Sequence, residues 1–202
     1  MKRVDVPIEF TTEDGRLVSL RRLREADLSA VLRFANELVR ERETNPVLGI
    51  VSLDRRMTRG DEEEFLLRMI MGVRRREGVS LAAFANGKMV GHCNVSRLRP
   101  KDVRHTGVFG LTVIRDYRGL GIGKKISTEV LREAARIGIW LVELTVFATN
   151  ERAIHLYEDR GFKRVGTVPN KILRRGRHTD EIVMYADLRG SDKFPLKARD
   201  KS

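Results

Sequence analysis

The sequence holds one cysteine, Cys93, in 202 residues, which excludes an intramolecular disulfide and a cysteine-based zinc site. It has no apolar run near the roughly 20 residues that cross a bilayer. Residues 1–10 carry charges and Pro7 where a secretory signal would carry an apolar stretch, so a cytoplasmic location is the default expectation. No Gly/Ser or Pro linker, repeat or low-complexity segment divides the chain. Aromatic residues make up only 6% of it, and no nucleic-acid recognition motif is visible, which weighs against a nucleic-acid-binding protein.

What is present is a charged globular composition, 41% hydrophobic and 34% charged. The formal net charge of +12 asks for anionic company: nucleic acid, an acidic membrane surface or a polyphosphate cofactor. The basic residues are spread along the chain, with short clusters at 21–24, 74–76 and 171–177. The expected organisation is one domain over residues 1–188 and a basic tail over 189–202. Hydrophobic periodicity predicts strands at 17–23, 79–85, 89–95, 107–114, 139–147, 162–168 and 182–188. It predicts helices beginning near Asp27, at Asp61, at Gly121 and at Glu151, with Gly78 able to stop the second. Residues 40–60 and 169–180 read as loops. Asn86-Gly87 is a strong hairpin signal. The mixture of a hairpin with a strand–helix–strand crossover makes this an α/β chain with a mixed sheet.

The densest chemical signal is Arg118-Gly119-Leu120-Gly121-Ile122-Gly123-Lys124, between a strand and an amphipathic helix. Such a turn exposes successive backbone N–H groups that a phosphate can approach closely, and the helix start adds unpaired donors. Arg118, Lys124 and Lys125 offer mobile positive charge beside it. Glycines here can also serve packing alone. The P-loop pattern fails, because Arg118 stands at its first glycine and Lys125 at its hydroxyl position. The dinucleotide pattern fails because Lys124 stands where a third glycine is required.

The pattern that matches is R-x-x-G-x-G, read as Arg118, Gly121 and Gly123 after Leu111-Thr112-Val113. Downstream come Asn150, Ala153-Ile154, Leu156-Tyr157 and Gly161-Phe162. Over residues 108–168 the chain resembles the GNAT superfamily of N-acetyltransferases. The resemblance implies a single-domain, mostly antiparallel mixed sheet flanked by helices, with acetyl-CoA as co-substrate and no metal. It places the coenzyme on Leu111, Thr112, Val113, the turn 118–124 and Asn150. Two strands splaying after 111–113 would open the pantetheine slot.

Asn150 is the expected N-cap of a helix, with Ile154 and Tyr157 near one face at i+4 and i+7. The resemblance gives Tyr157 the thioester sulfur, and a phenol suits protonation of a departing thiolate. It implies direct attack by an amine on the thioester in a ternary complex. The usual base position, five residues before Asn150, holds Thr145. Glu143, on the same strand face, is the tentative base, and His105 a second one. Cys93 reads as a buried small apolar residue. The acceptor is expected against residues 37–60 and 169–180, which carry charges of both signs and leave small amines, amino acids and protein N-termini or lysines open. A non-catalytic CoA-binding module and a basic nucleic-acid binder are the alternatives. A homodimer is also open.

Overall fold

The computed structural model describes residues 6–45, 48–49 and 53–189. Eight strands and four α-helices follow in the order β1 (Ile8–Thr11), β2 (Leu17–Arg21), α1 (Leu28–Thr44), α2 (Arg59–Arg74), β3 (Gly78–Ala85), β4 (Lys88–Arg97), β5 (Thr106–Val113), α3 (Ile122–Arg136), β6 (Leu141–Phe147), α4 (Glu151–Asp159), β7 (Lys163–Arg174) and β8 (Arg177–Asp187). They form one sheet, ordered β1-β2-β3-β4-β5-β6-β8-β7. Every pairing is antiparallel except β5 with β6. That single parallel contact requires a crossover, and α3 supplies it, so α3 starts where β5 ends. No described helix is long and apolar enough to cross a membrane.

Helices cover both faces. On α3, Ile122, Ile126, Val130, Leu131 and Ala134 are buried, as the 3.6-residue period requires. On the α3–α4 side, Phe109 meets Tyr157 and Leu111 lies beside Gly123. On the other side, Phe65 of α2 meets His92, the cross-strand partner of Thr112. Glu143 pairs with Val108, so alternation puts Glu143, Thr145 and Phe147 on the α1–α2 side as well.

Several expectations shift. The helix from Asp27 continues to Thr44, so residues 40–44 are helical, not loop. Thr58 and Asp61 form a capping box that starts α2 at Arg59. Arg76, with φ of 57°, turns the chain after α2, while Gly78 already belongs to β3. Most of residues 169–180 is hairpin: β7 and β8 run on to Arg174 and Arg177 around Arg175-Gly176, both at positive φ. β7 is exposed along most of its length, so it lacks the alternation by which a strand is read. β1 carried no sequence signal that distinguished it. The tail 190–202 lies outside the described residues.

Candidate active site

β5 and β6 are paired from Thr106–Leu141 through Val108–Glu143 and then part. The slot therefore opens before Leu111, not beyond Val113. Ile114 N–H donates to Val90 across β4 at 3.1 Å, and Thr106 C=O accepts from Leu98 on the same side at 3.0 Å. Strand alternation then turns the N–H groups of Leu111 and Val113 toward β6, where no described ladder partner opposes them. The backbone of Thr112 faces β4 instead, opposite His92. Leu111 and Val113 can thus offer amides to a guest, whereas Thr112 can offer only its side chain on the α1–α2 face.

The turn follows directly. Gly119 and Gly121 sit at φ of 84° and 79°, a region that glycine enters without strain. Gly121 is the N-cap of α3 and has no capping side chain. Lys125 N–H donates to Gly121 C=O at 3.0 Å; the amides of Ile122, Gly123 and Lys124 precede it and have no place in the helical ladder. Gly123 serves packing, since a Cβ there would lie 3.3 Å from Leu156. Ile122 anchors the turn, only 1% exposed, while Leu120 is half-buried.

Arg118 departs from the expected role. Its Nε donates to Val113 C=O at 2.7 Å, and its two terminal nitrogens take both oxygens of Glu41 at 2.5 and 2.7 Å. Bidentate pairing fixes a guanidinium in place. Arg118 therefore braces the turn against α1 and is not a mobile charge. Burial pushes the Glu41 carboxyl up, but bonds from Arg118 and Asn45 and the charges of Arg118 and Arg115 hold it below its ordinary range. Lys125 lies 3.8 Å from Glu129. The cations left at the turn are Lys124 and a residue that sequence reasoning missed, Arg152. A Cβ on Gly119 would lie 2.7 Å from Arg152 Nη2, and this exposed guanidinium has no described partner. Its signal was available only after folding, because nothing in the sequence says that the first turn of α4 overlies Gly119.

Asn150 caps α4: its Oδ1 accepts from Ala153 N–H at 3.2 Å. No described residue accepts from its Nδ2. Tyr157 is buried, with its ring edge-on to Phe109 at 5.9 Å and tilted against Phe162 at 5.9 Å. Burial, with a smaller contribution from neighbouring Cys93, pushes the phenol up, so it is protonated at neutral pH. Its hydroxyl bonds to no described residue. Burial likewise pushes the Cys93 thiol up, which makes it unreactive.

Glu143 stands on the last rung before the strands part, half-buried between Val108 and Tyr185, with no described ion-pair partner. His105 is not brought to the slot. It stacks on Trp140 at 4.2 Å, at the opposite end of β5. His92 is a structural histidine: burial pulls it down to about 4, and its Nε2 lies 2.9 Å from Ser80 Oγ.

Open amides at Leu111 and Val113 fit an amide-bearing arm, and unpaired N–H groups with Lys124 and Arg152 fit a diphosphate. Among the described residues, no group of three or more His, Cys, Asp or Glu is placed to hold a metal ion.

The chain is similar to known proteins. The sequence model of the acetyltransferase (GNAT) family matches residues 44–162. The L-amino acid N-acetyltransferase AaaT of Escherichia coli K12 is 30% identical over 114 residues, 54% of this chain and 68% of that protein. The N-alpha-acetyltransferase RimI of Mycobacterium tuberculosis is 36% identical over 86 residues, 43% of this chain and 52% of that protein. A solved GNAT-family acetyltransferase from Streptococcus pneumoniae superposes with a TM-score of 0.73 at 27% identity, covering 84% of this chain and 99% of that one.

Proposed function

The chain belongs to the acetyltransferase (GNAT) family and is an acyl-CoA-dependent N-acetyltransferase, and from that premise we propose that it acetylates a primary amine by direct attack in the slot between β5 and β6. One observation carries the reading: two strands paired through Glu143 part just upstream of a glycine-rich helix start, leaving amides open along the whole path. The names of AaaT and RimI support an amine acceptor.

Acetyl-CoA, when bound, supplies an activated thioester. In this reading Ile122, Gly123 and Lys124 hold the diphosphate by backbone N–H, and Leu111, Val113 and Asn150 Nδ2 hold the arm. Leu120 supports the turn, Gly119 and Gly121 let it bend, and Thr112 lines the acceptor side. A backbone N–H on β5 polarises the carbonyl. Glu143, directly or through water, takes the proton that the amine must lose. Tyr157, kept protonated by burial, gives one to the leaving sulfur. Holding both reactants in one slot supplies much of the rate.

Calorimetric titration with CoA, followed by free-thiol release from acetyl-CoA with a panel of amines, tests this. Micromolar CoA affinity and amine-dependent thiol release are expected. Folded protein with neither would overturn the reading.

A further inference from the structure

A groove of about 1360 Å³ skirts α1 and reaches the tip of the β7–β8 hairpin. At that tip three guanidiniums line it together: Arg42 from α1, and Arg174 and Arg175 from the hairpin. Arg174 lies over the Phe147 ring at 5.0 Å and donates to Leu48 C=O at 2.8 Å. Arg175 donates to Glu43 C=O at 2.6 Å. Arg42 Nε is buried with no partner among the described residues. Of the acids along the helix, Glu41 pairs with Arg118 and Glu37 with Lys88 at 2.9 Å, while the exposed Glu43 lines the groove with the arginines.

Like charges packed this closely repel one another. Burial, then the charges of Arg42 and Arg175, pulls Arg174 below its ordinary value. An anion settling here would relieve that repulsion. The position is also telling. Phe147 ends the parted strand β6, three residues before Asn150, and Gly49 bridges the two, its Cβ direction 3.7 Å from Phe147 and 3.9 Å from Asn150 Nδ2. The cluster thus stands on the same strand face as Glu143 and Thr145, on the α1–α2 side of the slot.

We propose that Arg42, Arg174 and Arg175 read a carboxylate on the acceptor, so that the acetylated amine belongs to a carboxylate-bearing molecule. This rests on the acetyl transfer proposed above. A planar guanidinium matches a carboxylate in two-point contact better than any other side chain does. Two sources share the chemistry, a free amino acid and an acidic peptide, and the substrates distinguish them.

The test is thiol release by the full chain with matched acceptor pairs: amino acids against their amides, and peptides with acidic residues near a free N-terminus against the same peptides with Asn and Gln. Removing the negative charge is expected to lower kcat/KM at least tenfold in one pair, and that pair names the source. The double variant Arg42→Gln, Arg175→Gln is expected to raise KM for the charged acceptor about tenfold and erase the preference. Equal use of charged and neutral acceptors would overturn the proposal, as would a preference that survives the double variant. CoA titration of the same samples separates the two failures. Protein that binds CoA without a charge preference overturns this proposal alone; folded protein that binds no CoA overturns both.

Discussion

Removing the hydroxyl of Tyr157 changes little that holds the protein together. Its contacts are those of the ring, against Phe109 and Phe162, and the hydroxyl has no described partner to lose. Tyr157→Phe is therefore expected to melt within about 2 °C of the parent, with CoA affinity within about twofold, while kcat falls about 100-fold or more, the usual span for a lost general acid. Steady-state kinetics with a melting curve checks it, and unchanged turnover would remove Tyr157 from the chemistry. The two arginines at the turn separate in the opposite sense. Arg152→Ala removes an exposed cation with no described partner, so stability should hold while CoA binds about three- to tenfold more weakly. Arg118→Ala leaves Glu41, with a side chain only 8% exposed, without its main partner. Its first effect should be on stability, a loss of about 2–4 kcal/mol in urea unfolding.

At the scale of the element, α2 carries an unusual carboxyl. Glu62, in its first turn, is 4% exposed and has no described partner. Burial, and to a lesser degree Asp61, push it up to about 7 from 4.5. A folded-state value above the unfolded one means that the proton stabilises the fold. The contribution is full below pH 4.5 and is lost as the pH rises to about 7. Glu62→Gln keeps the neutral shape at every pH, so it should raise stability by about 1–2 kcal/mol at pH 8 and flatten the slope between. Urea midpoints across that range decide it.

The same scale shows what could be read from the sequence. α3 was legible because Ile126, Val130, Leu131 and Ala134 repeat on one face, and the β3–β4 hairpin because Asn86-Gly87 permits two positive φ angles. The turn and the strand before it were legible because their chemistry is local. Arg118 misled, because its pairing with Glu41 spans 77 positions, and no local pattern encodes which carboxylate a guanidinium will meet. The outer half of the β7–β8 hairpin, residues 169–180, was read as loop for a related reason. An edge strand exposed on both sides needs no apolar alternation, and the arginines at its tip donate to distant carbonyls, those of Leu48 and of Glu43 at the end of α1.

At the scale of the whole molecule, contacts of the described fold extend through Arg189. Leu188 is 1% exposed and donates its N–H to Trp140 C=O at 2.7 Å. Arg189 then covers the Trp140 ring at 3.7 Å and pairs with Asp187 at 2.6 Å. We propose that the fold needs the chain through Arg189, whereas the apolar pattern ends the domain at residue 188. A chain ending at Arg189 should melt within about 2 °C of the full chain and bind CoA within about twofold. A chain ending at Asp187 loses a buried leucine and a backbone bond, and should be destabilised by about 3 kcal/mol or more. Calorimetry and melting of the two shortened chains measure this. If the chain ending at Arg189 kept its melting temperature but lost CoA affinity, residues 190–202 would belong to the coenzyme site, and the domain would have no boundary there.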